Sequence, residues 1–255
     1  MTALIDCHFH IHPEHMDLRR AGEDLDRFCA IAGFTAVGIA CVSPALYPGY
    51  EFRQLPLAFL LKALRPDKVY VFGALDYRTP EAQAGRADFA VQAERLWEMG
   101  IDGWKMLEGK PTSRRIVNLP LDAAAYDAFY AFLEAHDLPI LAHVADPPVC
   151  WDPDKCPPWF REAGYYYAGE KLPSHEEFGA EILRVARRHP QLRLILAHFF
   201  FASADPESAA ACLERHPNVA FDLTPGFDMY EDFARHPADW RDFFLRYETR
   251  ILFGT

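Results

Sequence analysis

Asp6-Cys7-His8-Phe9-His10 is the segment of this chain best suited to chemistry. On an extended strand side chains alternate faces, so His8 and His10 share one face, two residues' rise apart. Two imidazoles so placed can grip one metal ion. Such a pair is weak on its own, because most histidines are ordinary surface or core groups. Two further histidines strengthen it. Ile140-Leu141-Ala142-His143 and Ile195-Leu196-Ala197-His198 repeat the same four residue types at the ends of two apolar runs. If those runs are parallel strands of one barrel, their C-terminal ends share a rim, and His8, His10, His143 and His198 meet there. Imidazole suits zinc, and a catalytic zinc keeps one position open for water. It lowers the pKa of that water to about 7 and polarises a carbonyl; a neighbouring base then removes the water proton, and His198 could stabilise developing negative charge or donate a proton.

The elements that would position these groups are legible as alternation. Short apolar runs at 3–10, 35–42, 69–75, 101–107, 139–144, 192–199, 218–224 and 250–255 read as eight buried parallel strands. Between them, stretches such as 87–99, 123–135, 176–188 and 206–215 carry helical period, and Gly33 and Gly100 follow helical stretches as C-terminal caps. Eight strand–helix repeats predict an α/β fold, a (β/α)8 TIM barrel, rather than an open doubly wound sheet. No glycine-rich phosphate loop follows the first strand. The chain of 255 residues matches one such barrel over 1–255, lacking the last helix in the chain as given.

Composition narrows the partners. Hydrophobic residues are 51% of the chain, enough for a large core, and the formal net charge is −11. An acidic chain repels phosphate backbones and anionic membrane surfaces, so nucleic acid and membrane are not expected partners; a small-molecule substrate is. Six cysteines without a CxxC pair fit a reduced cytoplasm, the charged Asp6 comes too early for a signal peptide to be expected, and no apolar run is of membrane length. Two long loops stand out, at about 43–53 and 145–174. The second is rich in Trp, Tyr and Pro and is read as a lid, the alternative being a packed surface excursion.

With Asp-x-His-x-His on strand 1, one His on strand 5, one on strand 6 and a closing Arg250-Ile251-Leu252-Phe253-Gly254-Thr255, the chain resembles the amidohydrolase superfamily, in its amidohydrolase 2 branch. That branch includes lactone hydrolases and decarboxylases related to aminocarboxymuconate semialdehyde decarboxylase. The resemblance implies a TIM barrel with His8, His10 and His143 as ligands of a divalent metal, zinc first, with one ion or two. His198 would be the acid–base group or a second-metal ligand. It also implies that such barrels often form homodimers, although no sequence feature marks an interface.

The family pattern places an Asp directly after a strand-8 sequence like Phe-Gly-Thr, where this sequence stops. The expectation is a natural chain that continues. Asp222 is read as a surface or strand-end hydrogen-bonding group, with a substitute catalytic carboxylate as the other reading. Lys105, Arg53 and Arg114 are the candidate substrate-binding cations, with Arg115 beside them, since arginine can clamp a carboxylate. His12, Glu14 and His15 crowd the strand-1 exit. The expected function is hydrolysis of a small, carboxylated ester, lactone or amide. Decarboxylation at the same site, a metal-free lactonase and a non-catalytic binding barrel are the alternatives.

Overall fold

The computed structural model describes residues 3–11, 17–46 and 54–255. All eight expected strands form: β1 (Ile5–Phe9), β2 (Ala36–Ala40), β3 (Val69–Gly73), β4 (Gly103–Gly109), β5 (Ile140–Val144), β6 (Leu194–Leu196), β7 (Val219–Asp222) and β8 (Ile251–Leu252). They make one parallel sheet in sequence order. Its edges meet where Cys7 N–H donates to the Phe253 carbonyl at 2.9 Å. Asp6 adds to the seam: its carboxylate accepts from His8 N–H at 3.0 Å, Thr255 N–H at 3.2 Å and the Thr255 hydroxyl at 2.6 Å. The result is a TIM barrel. The Asp of the Asp-x-His-x-His run therefore fastens the first strand to the last, next to the histidines.

The helices form where the period predicted them, with capping that explains their ends. Asp88 caps Phe89–Glu98, and Ser174 with Glu177 forms a capping box at His175–Arg188. Gly33 closes Leu18–Ala32 in the left-handed conformation, φ 76°. No described helix is long and apolar enough to cross a membrane.

Alternation along the strands divides the core into two regions. Outward-facing Trp104 and Met106 on β4 pack on Phe129 and Tyr130 of the helical layer. Inward-facing Ala40, Phe72, Leu141, Ile195 and Ala197, with Leu252, plug the barrel below the histidines. Phe72 fills that centre only because position 103 is glycine: a Cβ there would stand 2.6 Å from its ring.

One outward residue breaks the apolar rule. Glu108 is 2% exposed, lies beside Tyr77, and one of its carboxylate oxygens has no hydrogen-bond partner among the described residues. Burial pushes its pKa up, from an ordinary 4.5 to about 7. The folded state thus holds this proton to higher pH than the unfolded chain does. Its contribution is fully present below about pH 4.5 and is lost as pH rises to about 7, by roughly 3 kcal/mol at most. Glu108→Gln should remove that fall. Urea denaturation of both proteins at pH 5 and pH 8 measures it. The variant should gain on the wild type as pH rises, and a constant difference would refute the assignment.

Candidate active site

The four histidines do converge. His8 and His10 project inward from the end of β1, His143 from β5, and His198 follows β6. The ring centroids of His8 and His10 are 5.0 Å apart, those of His8 and His198 5.6 Å, and those of His143 and His198 4.7 Å. They line an inner cavity of about 180 Å³ with Lys105, Leu107, Lys110 and Tyr165.

His8 is held from behind. Its Nδ1 is 2.7 Å from Asp222 Oδ2, while Asp222 Oδ1 accepts the N–H groups of His198 at 2.8 Å and Thr224 at 3.2 Å. Asp222 is fully buried. It is thus no surface group, and it is not turned into the cavity as a substitute ligand. It orients a ligand-type histidine, as partners of metal-bound imidazoles do. Donation from Nδ1–H leaves the His8 Nε2 lone pair facing inward. Lys105 Nζ approaches that atom at 2.7 Å and His10 Nε2 at 3.2 Å.

His143 and His198 face each other in the same manner. His143 Nε2 lies 3.2 Å from Asp146 Oδ1, and His198 Nδ1 lies 3.3 Å from the Thr224 carbonyl. Both partners accept only, so both protons belong on those nitrogens. The remaining atoms, His143 Nδ1 and His198 Nε2, stand 3.1 Å apart with two lone pairs and no proton between them.

The electrostatics agree. Burial drives the pKa of His143 and of His198 down to about 3, aided by Lys110 for the first and by His143 for the second. His8 and His10 are lowered well below the usual range by burial and then by Lys105. All four are neutral imidazoles, the form a metal ion takes. Lys105 is lowered to about 8 by burial, against the pull of Asp222. Among the described residues, no group of three or more His, Cys, Asp or Glu side chains stands ready-made as a metal cage. The donor set nevertheless fits a cation. Two nitrogens on a tetrahedral zinc lie about 3.3 Å apart, and the two facing pairs sit close to that spacing.

His198 also marks where the structure departs from the expected strand. β6 stops at Leu196, and His198, Phe199, Phe200 and Phe201 all take left-handed φ of 51° to 56°. Non-glycine residues pay on the order of 1–2 kcal/mol each for this backbone. Aromatic packing offsets it: Phe199 is buried among Phe221, Phe233, Trp240 and Phe243. The reversed turn swings Phe201 beside the His198 ring, at 5.6 Å and 23°.

Above the inner cavity an outer one of about 580 Å³ opens, sharing Lys110, His143, Tyr165 and His198 with it. Trp159, Phe160, Phe201 and Phe227 line it together with Asp228 and Glu231. Loop 145–174 supplies Asp146, Cys150, Trp159, Phe160 and Tyr165 to this wall. The loop is also packed on itself, with a small core of Cys150, Cys156, Phe160 and Tyr167.

The candidate cations separate. Lys105 is in the site. Arg114 is not, which corrects the expectation: its guanidinium is 2% exposed, paired with Glu181 at 2.6 and 3.1 Å and covered by Phe178. It ties the β4 exit to the helix His175–Arg188. Arg115 is engaged by Glu170 at 2.6 Å. Arg53, His12, Glu14 and His15 lie outside the described residues. Sequence reasoning missed Lys110 and Asp146, although each stands just past a strand end, on the rim where barrel enzymes place their groups.

A family model described as amidohydrolase matches residues 5–255. The chain belongs to the amidohydrolase family. This amidohydrolase is an enzyme of that type and shares its fold with solved structures of low identity. A dihydroxybenzoic acid decarboxylase from Polaromonas sp., with bound manganese and an inhibitor, is 16% identical at a TM-score of 0.59, covering 100% of this chain and 86% of that one. A 4-oxalomesaconate hydratase from Rhodopseudomonas palustris is 14% identical at 0.58, covering 98% and 80%. An amidohydrolase from Burkholderia multivorans with bound zinc is 17% identical at 0.52, covering 100% and 84%. No curated protein matches the sequence.

Proposed function

We propose that this amidohydrolase is a metal-dependent hydrolase of a small, carboxylated ester, lactone or amide. His8, His10 and His143 would hold one divalent ion, zinc in the first instance, and His198 would be the acid–base group. The observation that carries the reading is the apposition of His143 Nδ1 and His198 Nε2 at 3.1 Å, each with its proton already committed elsewhere. Two facing lone pairs repel unless positive charge comes between them, either a metal ion bound by His143 or the proton that His198 Nε2 would carry.

A bound zinc would supply an acidified water and polarise the substrate carbonyl. His198 keeps Nδ1–H on the Thr224 carbonyl, so Nε2 is the atom that takes a proton from the reacting centre and returns it to the leaving group. Lys110 Nζ lies where the two cavities join, 3.5 Å from His143 Nε2, and would hold a substrate carboxylate there. Lys105 would contribute charge from below, and Arg53 would be a further clamp. A cytoplasmic location is proposed on the six free thiols.

A second reading, decarboxylation of a flat unsaturated acid, is favoured by the aromatic wall of Trp159, Phe160, Tyr165, Phe201 and Phe227. It accords with the reaction named for the Polaromonas structure. Zinc- and manganese-loaded protein, incubated with lactones and with unsaturated aromatic carboxylates, separates the two. Ring-opened acids without carbon dioxide are expected, and release of carbon dioxide would select decarboxylation. Full activity in an exhaustively chelated, metal-assayed sample would contradict both.

A further inference from the structure

Asp146 has no role in the chemistry above, yet it is among the most heavily engaged carboxylates in the molecule. It is 4% exposed. Its Oδ1 receives His143 Nε2 at 3.2 Å and forms an ion pair with Lys110, and its Oδ2 accepts the Tyr167 hydroxyl at 2.6 Å. Burial alone would push this carboxyl up, but Lys110 and the His143 hydrogen bond outweigh it and hold it ionised, well below the usual range.

The backbone is bent to bring it there. Ala145, between β5 and Asp146, takes a left-handed φ of 63° and donates its N–H to the Gly109 carbonyl at 2.9 Å. That turn folds Asp146 back onto the histidine three residues earlier. A non-glycine residue in this region signals a position that the surrounding structure over-determines. Tyr167 arrives from the far limb of the aromatic loop. It is 1% exposed, its N–H is bound to the Cys150 carbonyl at 2.8 Å, and the Arg115 guanidinium lies 5.2 Å from its ring. The small core of the loop is thus tied through one hydroxyl and one carboxylate to a histidine of the site.

We infer that Asp146 and Tyr167 are positioning residues of the metal centre: Asp146 fixes His143 in the tautomer that leaves Nδ1 bare, and Tyr167 couples the order of loop 147–173 to metal binding. The inference rests on the reading of His143 as a metal ligand. Its physical basis is general. A carboxylate that receives the second N–H of a ligating imidazole sets its orientation and raises its basicity. Coupling between loop and metal is reciprocal, so whatever loosens the loop weakens the metal and the metal tightens the loop.

The test uses zinc ion itself, with affinity read by competition against a chromophoric chelator and loop order read by hydrogen exchange over 147–173. Melting of the zinc-free proteins reports on folding. Asp146→Asn keeps the shape but removes the charge that neutralises Lys110, and should bind zinc about 10–100-fold more weakly. Tyr167→Phe keeps its ring in the loop core and should weaken zinc by roughly threefold to tenfold. Zinc should slow exchange of the loop in the wild type and do so much less in Tyr167→Phe. A purely structural role would lower the melting temperature and leave zinc affinity untouched. If the wild type binds zinc, His143→Ala does not, and both variants bind as the wild type does, the inference is overturned and the metal reading stands. If the wild type binds no zinc, both fall together.

Discussion

Asp222→Asn is expected to fold and to lose its grip on metal, because the substitution reverses a proton rather than opening a hole. Asp222 offers one oxygen to two backbone donors, His198 N–H and Thr224 N–H, and the other to His8 Nδ1. An asparagine must keep its single oxygen on the two backbone donors, so its NH2 turns to His8. His8 Nδ1 then has to accept, and the proton moves to Nε2. That proton lands on the atom that now faces inward with a lone pair, opposite Lys105 Nζ at 2.7 Å. Two donors would confront each other where a ligand is needed. The stability cost should be about 1–3 kcal/mol, the penalty of one mismatched buried hydrogen bond. The functional cost is larger. Loss of an outer partner commonly costs about 10–100-fold in metal affinity. A wrong imidazole tautomer in a catalytic triad costs on the order of 10⁴ in rate. Zinc affinity, thermal melting and turnover on one preparation measure all three. Wild-type zinc affinity in a folded variant would show that His8 does not bind metal through Nε2.

Much of this was legible in the sequence. Parallel strands covered on both sides must be short apolar runs, and eight of them at regular spacing leave little besides a barrel. Histidines at the ends of such runs converge by topology alone, so His8, His10, His143 and His198 could be placed together without any contact being known. What stayed hidden depends on direction. Arg114 occupies a rim position, but the short helix Pro111–Arg114 turns it outward to Glu181, and spacing does not encode that turn. Asp146 reaches His143 only through a left-handed alanine, and Tyr167 reaches Asp146 only after the loop has folded on its own core. β6 was drawn too long because its apolar run continues through Phe199, whereas the chain leaves the sheet in a left-handed aromatic turn that propensity argues against. Asp222 was seen and placed on a strand end. Its burial, and the histidine it serves, come from a residue 214 positions away.

His143→Ala carries the other large effect. Both ring nitrogens of His143 have assigned tasks, Nε2 on Asp146 and Nδ1 toward His198. Removing it would delete a proposed ligand and strand the Asp146 and Lys110 pair, so on that reading metal affinity should fall by more than the roughly 100-fold that an outer partner can cost. Elemental analysis of untagged wild type and His143→Ala, as purified and after addition of zinc, is the most direct measurement of the metal centre. The wild type is expected to carry about one zinc or similar divalent ion per chain, and the variant essentially none. No metal in the wild type, even with zinc supplied, would contradict a metal centre and leave the four histidines as hydrogen-bonding groups of a metal-free enzyme or a binding protein.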